Sequence, residues 1–273
     1  MDEILQKFLD QAPIAVLVQA TAARAIGASA LDDLFERHAD GQYTRELTFS
    51  TLTRLMTGVV FCTYPSVHSA YRETGDIPVS VTSVYNKLNG LGTAVTRALV
   101  AETAGALEAI LASLPGEPLP EPVQGLRLRT LDGNSLAGTD HRITCLRGSG
   151  AAALPGISLV VRDGRTGLLT DIVPCEDAYT SERTLYADIL PLVQAQDLWL
   201  ADRNFCTGDY LSGIAARDAV FLIRHHAGTK LHPLGPETRG RRRGDATISE
   251  QRVRAGCLEC RCILIRLRTP LLL

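Results

Sequence analysis

The sequence contains no run of eighteen or more apolar residues, the length that a membrane-spanning helix requires, so no membrane partner is expected. Its first residues, Met1-Asp2-Glu3, are acidic and lack the basic start of a secretory leader. Together these absences lead to the expectation of a cytoplasmic protein. The seven cysteines are odd in number and spread along the chain, which does not suggest a disulfide framework. No GxxxxGK loop is present, so no nucleotide cofactor is implied. What is there is a chain of 273 residues, 45% hydrophobic and 21% charged, enough for a sizeable core in one or two domains.

The formal net charge of −2 conceals a division. From Arg224 onward, eleven Lys and Arg stand against four Asp and Glu, a net +7, while the preceding residues carry a net −9. A basic tail on an acidic body suggests a polyanionic partner, although basic runs are also common as plain solvated surface.

Residues 1–114 read as an acidic helical region. Apolar residues recur at helical spacing in Ile4-Leu5-Phe8-Leu9, over Ser29–His38 and over Phe49–Val60. A short helix is expected over Ser66–Glu73, stopping near Gly75, and a long Ala-rich one over Tyr85–Leu114, ended by Pro115-Gly116. Residues 115–125 form a proline-rich linker, the best domain boundary in the chain.

The region 126–226 then alternates. Strands are expected at Leu126–Leu131, Ile157–Arg162, Leu168–Val173, Asp197–Ala201 and Ala219–Arg224, with the second and third joined as a hairpin by Asp163-Gly164-Arg165-Thr166-Gly167. Helices are expected at Glu182–Gln194, capped by Thr180 or Ser181, and at Thr207–Arg217. Residues 134–156, with Arg142 and Arg147, read as loop. The order β-β-β-α-β-α-β describes a mixed sheet with helices on its faces, an α/β architecture. In 227–273, Gly228–Pro236 reads as loop, Arg239–Gly244 as a basic loop, and Thr247–Arg254 and Cys260–Arg268 as strands. Leu271-Leu272-Leu273 resembles a strand without its partner.

Two stretches share one grammar. Leu198-Trp199-Leu200-Ala201-Asp202-Arg203-Asn204-Phe205 and Leu126-Arg127-Leu128-Arg129-Thr130-Leu131-Asp132-Gly133-Asn134 each run from a strand into an aspartate. A carboxylate at the exit of a buried strand is costly unless something pairs with it or a metal uses it. The plainer reading is two surface turns, since Asp-Gly is a common turn pair.

The element order, with aspartates after the first and fourth strands, resembles the RNase H-like fold. Leu131-Asp132-Gly133-Asn134, Thr139-Asp140-His141-Arg142, Leu198–Cys206 and Phe221-Leu222-Ile223-Arg224-His225-His226 resemble the DDE transposases of bacterial insertion sequences, in the group typified by insertion sequence four. The resemblance implies DNA transposition by metal-dependent phosphodiester cleavage and strand transfer in the bacterial cytoplasm. It implies double-stranded DNA as partner, both terminal inverted repeats and target, and a homodimer on that DNA. Asp132 and Asp202 match the first two of three catalytic, metal-binding carboxylates, and the implied cofactor is Mg²⁺ (or Mn²⁺).

The family's third acid is a glutamate on a helix, within a Tyr-Arg-Glu-Lys signature. No such pattern occurs here, no tyrosine follows Tyr210, and Glu237, Glu250 and Glu259 fall in loop or strand contexts. Residues 227–273 resemble the start of the β-rich insertion that precedes that helix in this group. The expectation is therefore a copy truncated before its third acid, and poorly active. The alternatives are an RNase H-like nuclease unrelated to transposition, and a catalytically dead DNA-binding fragment that regulates a full-length transposase.

The chemistry suits these residue types. In-line cleavage of a phosphodiester is served by two divalent ions about 3.5–4 Å apart, and hard Mg²⁺ prefers a few carboxylates, water and phosphate. Arg203 and Asn204 are candidates for contacting phosphate or for holding the loop, with a salt bridge as the alternative for Arg203. Arg241, Arg242 and Arg243 are candidate contacts to the DNA backbone, or a solvated loop. Cys257-Leu258-Glu259-Cys260-Arg261-Cys262 has one Cys-x-x-Cys pair, short of the four ligands of a structural zinc site.

Overall fold

A computed structural model describes residues 6–7, 10–42, 44–135, 157–175 and 181–267. Ile4, Leu5, Phe8, Leu9, the Thr139–Arg142 motif, Arg147, Thr180, Arg268 and Leu271–Leu273 lie outside these residues. The chain is a mixed α/β protein. It divides into two compact units, residues 1–120 with 133–180, and residues 121–132 with 181–273. The division at Pro120 falls inside the proline-rich stretch, and the described residues 133–135 and 157–175 are counted with the helices. Among the described residues no helix is long and apolar enough to cross a membrane.

Among the described residues the first unit has six complete helices: α1 (Pro13–Ala25), α2 (Ala28–His38), α3 (Phe49–Val60), α4 (Val67–Thr74), α5 (Val81–Asn89) and α6 (Thr93–Ser113). Three of them begin at a hydroxyl residue that accepts the amide three positions on: Thr48 from Thr51 (3.2 Å), Ser66 from Ser69 (3.1 Å) and Ser80 from Ser83 (3.2 Å). Helix α4 stops where Gly75 takes φ 72°, a conformation that favours glycine. The expected single helix over Tyr85–Leu114 is two helices. Gly90-Leu91-Gly92 separates them, with Gly90 closing α5 and Gly92 opening α6. Two glycines in three positions cost a helix interior about 2 kcal/mol, enough to favour a break.

The core of this unit gathers Leu31, Leu34, Phe35, Leu52, Leu55, Ala70, Val84 and Val95. The rings of Phe35 and Phe49 stack at 5.3 Å. Lys87 lies with its Nζ 4.5 Å from the Phe35 ring centroid and donates to the carbonyl of Leu47 at 2.6 Å. Burial holds this amine below its ordinary value, opposed by the nearby charges of Asp32 and Glu36.

Strands β2 (Ile157–Asp163) and β3 (Leu169–Cys175) form the expected antiparallel hairpin. Asp163 shapes its turn by accepting the amides of Arg165 (2.9 Å) and Thr166 (2.7 Å). The hairpin is fastened to α6 by Arg97, whose Nε and Nη2 reach the two oxygens of Asp171 at 2.9 and 3.1 Å. This fork-to-carboxylate pair is mostly out of water, with Asp171 only 11% exposed.

In the second unit, β1 (Arg127–Ser135), β4 (Asp197–Ala201) and β5 (Val220–Ile223) run parallel. Strand β1 crosses the division, with Gly133–Ser135 counted in the first unit, and the strand order is β3-β2-β1-β4-β5, a mixed sheet. The inner face of β4 buries Trp199 and Ala201, and helix α8 (Gly208–Ala215) buries Tyr210, Leu211 and Ile214. The helix expected over Glu182–Gln194 is broken into a 3₁₀ turn at Glu182–Thr184, one turn of α-helix at Tyr186–Ile189 (α7) and a second 3₁₀ turn at Leu190–Leu192. Pro191 has no amide to donate and its ring crowds the preceding turn, so the helix cannot be continued through it.

A second sheet is built from β6 (Leu231–Pro233), β7 (Arg241–Arg243), β8 (Ala246–Ala255) and β9 (Leu258–Leu267). Two expected loops, Gly228–Pro236 and Arg239–Gly244, thus each contain a three-residue strand paired with β8. Gly244 (φ 56°) and Gly256 (φ 59°) each open a two-residue hairpin turn, the position where a positive φ is required.

Replacing Arg97 with alanine leaves the Asp171 carboxylate in place without its fork and is expected to cost about 1–3 kcal/mol. Replacing Arg37, whose pair with Glu102 is exposed, is expected to cost at most about 1 kcal/mol. Urea denaturation of the two variants checks the order, and equal losses would show that the Arg97 pair carries no special weight.

Candidate site at the ends of two parallel strands

The site is built on the pairing of β1 with β4. Leu131 is aligned with Ala201, and both are buried. The next residues are Asp132 and Asp202, both exposed. Because side chains alternate along extended chain, the two aspartates lie on the face opposite Leu131 and Ala201, which also carries the exposed Leu200 and Leu222. Neighbouring strands are about 4.8 Å apart, so the two aspartates are near neighbours across the sheet. Strand β1 does not end before Asp132, as the sequence suggests, but continues to Ser135. Asp132-Gly133 is therefore extended backbone, and Gly133 is not among the glycines with positive φ.

Asp202 follows the last residue of β4, still in extended conformation, and caps the 3₁₀ turn Arg203–Phe205. Its Oδ1 accepts the amide of Asn204 at 2.8 Å. Phe205 anchors the turn in the core. The Asn204 side chain donates to Glu182 at 3.5 Å, so this residue holds the loop rather than presenting its amide to solvent. Glu182 is a positioning residue that the sequence pattern did not single out; it reads there only as the first turn of a helix. Arg203 is exposed, and no ion pair to it occurs among the described residues.

The described residues contain no group of three or more His, Cys, Asp or Glu able to hold a metal ion. Two neighbouring carboxylates suit a single hard divalent ion completed by water. They do not supply the ligands of a two-ion centre.

The other glutamates considered for the site are occupied elsewhere. Both oxygens of Glu237 are taken by Arg266, one of them at 2.8 Å, with the Ser249 hydroxyl also donating. Glu250 pairs with Arg261 at 3.4 Å, and Glu259 with Arg252 and Arg254, each at 3.1 Å. Arginines of β8 and β9 thus pair with acids of β8 and β9 and with Glu237 in the segment between β6 and β7. Arg241, Arg242 and Arg243 are exposed, and no ion pair to them occurs among the described residues. They are a strand and not a loop, so they cannot converge on one point. Opposite them on β8 stand Ile248, Thr247 and Ala246, which places Arg241 and Arg243 on one face and Arg242 on the other. Cys260 points inward toward Cys206 and Leu211, and burial raises its thiol above the ordinary value.

A scan against protein-family models finds none that matches the chain. A search of curated proteins finds no match to it either.

The Arg266 guanidinium, helped by the Ser249 hydroxyl, holds Glu237 down to about 2 from an ordinary 4.5. A lowered folded value means that this contact stabilises the fold above about pH 4.5 and is lost as pH falls through about 2. Replacing Arg266 with alanine is expected to return Glu237 to the ordinary carboxylate range. Carboxyl ¹³C NMR over a pH series reads this directly, and an unmoved Glu237 would show that Arg266 is not what holds it down.

Proposed function

We propose that this chain is a DNA-processing protein of the DDE transposase type, with Asp132 and Asp202 as two of its metal-binding carboxylates. The observation that carries the reading is the register Leu131↔Ala201, which brings the two aspartates to matching positions at the ends of adjacent parallel strands. The strand order β3-β2-β1-β4-β5, with an antiparallel hairpin beside three parallel strands, supports an RNase H-like arrangement. The partner of this reading is double-stranded DNA at an element's ends and at a target, bound by a homodimer in the bacterial cytoplasm.

Mg²⁺ or Mn²⁺ bound at the pair would supply positive charge to the phosphodiester oxygens. The chain's own residues do the rest of the positioning. Asp132 and Asp202 present two oxygen donors of the hardness such an ion prefers. Asn204, tied to Glu182, fixes the turn that sets Asp202. Arg203, Arg241, Arg242 and Arg243 offer positive charge to a phosphate backbone, with Asn204 committed to the loop.

Mn²⁺ titration followed by electron paramagnetic resonance is expected to show weak binding by the whole chain, reduced tenfold or more (a factor worth about 1.4 kcal/mol) by Asp132→Asn or Asp202→Asn. Binding that ignores both substitutions would end the reading. With only two carboxylates at the site among the described residues, DNA nicking is expected to stay near background. Duplex affinity measured against salt tests the basic strand. Arg241→Ala with Arg243→Ala should lower the log–log slope by about 1.8, and Arg242→Ala alone by about 0.9. Unchanged slopes would mark β7 as solvated surface.

A further inference from the structure

Within the second unit a cavity of about 470 Å³ opens beside the start of α8 and is walled by the turn after β4, the segment after β5, β6 and the β8–β9 turn. Arg183, Lys230, His226 and His232 line it together with Thr207, and no aspartate or glutamate does. No ion pair to Arg183 or Lys230 occurs among the described residues.

The polarity of this lining is one-sided. His226 accepts the amide of Gly228 at its Nδ1, 3.0 Å away. The neutral ring must therefore carry its proton on Nε2, where it is a donor. The Thr207 oxygen accepts the amide of Tyr210 at 3.4 Å, which leaves its hydroxyl hydrogen to be donated. Arg183 and Lys230 have only donors. A concavity that offers N–H and O–H groups and cations, with no carboxylate to neutralise them, suits a multiply charged oxyanion. A phosphate is such a group.

The cavity is also tied to the aspartate site by a short piece of chain. Asp202 and Thr207 are the ends of one six-residue segment, whose Phe205 and Cys206 are buried. Five residue steps reach at most about 18 Å. The edge of the cavity at Thr207 and the carboxylate at Asp202 therefore lie within the span of a few nucleotides.

We infer that this cavity is a phosphate-binding site for the DNA backbone, in which Arg183, Lys230, His226 and Thr207 hold one or two phosphates of the strand that passes Asp202. This inference rests on the proposed DNA-processing function and names where the strand is gripped.

The test uses the full chain and a short fluorescent DNA duplex, with anisotropy read over a salt series. Arg183→Gln with Lys230→Gln is expected to lower the log affinity–log salt slope by about 1.8, equivalent to two lost phosphate contacts. Lys230→Arg, which keeps the charge, is expected to restore the half that Lys230→Gln removes. Thermal melting of each variant confirms that the fold is retained. A slope unchanged by the double substitution, in a chain whose binding still depends on Arg241 and Arg243, overturns the cavity and leaves the DNA reading standing. Mn²⁺ binding that ignores Asp132 and Asp202, with the slope change intact, overturns the catalytic reading and leaves the cavity. Absence of duplex binding overturns both. In that case ³¹P NMR with inorganic phosphate and with a deoxynucleoside monophosphate asks whether the cavity takes a free phosphate, and broadening abolished by Lys230→Gln would assign it to a small ligand in place of a strand.

Discussion

The arrangement of the second unit depends on a buried carboxylate at the start of β4. Asp197 is 1% exposed. Its Oδ2 accepts the amide of Gln194 at 2.8 Å, and its Oδ1 lies in ion-pair contact with Nη2 of Arg127 at 3.0 Å. Arg127 is the residue aligned with Asp197 across the sheet, and it is held as well by the side chain of Gln194 at 2.8 Å. A charge taken out of water is tolerated only when it is paired, so this cluster penalises any other alignment of β1 with β4. A slip of β1 by one residue would also turn Leu131 out of the core. Everything at the far end of the strands inherits that alignment, including the adjacency of Asp132 and Asp202.

The segment leaving β4 converts this alignment into a rigid edge. Asp202 caps the turn that follows it, Phe205 sinks into the core, and Thr207 caps α8. Two caps and one aromatic anchor in six residues leave little freedom for the carboxylate at one end or the hydroxyl at the other. Tyr210 packs near Phe205 and Tyr186, its ring centroids 6.0 and 5.8 Å away, and burial raises its phenol well above the ordinary range. This phenol is a structural group, kept neutral by its surroundings.

Charge is handled differently on the second sheet. The net positive charge of the chain beyond Arg224 suggests one broad basic surface, but the pairs of Glu237, Glu250 and Glu259 neutralise much of β8 and β9. Basic residues there without an acidic partner among the described residues include Arg224, Arg239, the three arginines of β7, and Lys230 in the cavity beside α8. The positive field is therefore unevenly distributed over the unit, which net charge cannot express.

Much of the fold was legible in the sequence because its signals are local. Short apolar runs bounded by turn residues marked β2, β3 and β4, the starts expected at Phe49, Ser66 and Thr207 fall at or within one residue of those of α3, α4 and α8, and both aspartates of the site were visible as acids that follow apolar strands. The break at Gly90-Leu91-Gly92 and the interruption at Pro191 were also written in residue types, although helical periodicity on either side masked them. Other features depended on partners far away in the chain. Arg241–Arg243 is a strand only because Ala246–Ile248 completes its ladder, and that pairing is what sends the three side chains to two faces. Asn204 is a loop fastener only because Glu182 comes to it from a separate turn. The sequence by itself determined which residues carry charge and where chains extend or coil, since those follow from side-chain chemistry and short-range backbone preference. Only the tertiary structure decided which charges neutralise one another and which acids stand side by side, because both depend on strand register, and register is set by the ion pair of Arg127 with the buried Asp197, seventy residues apart in the chain.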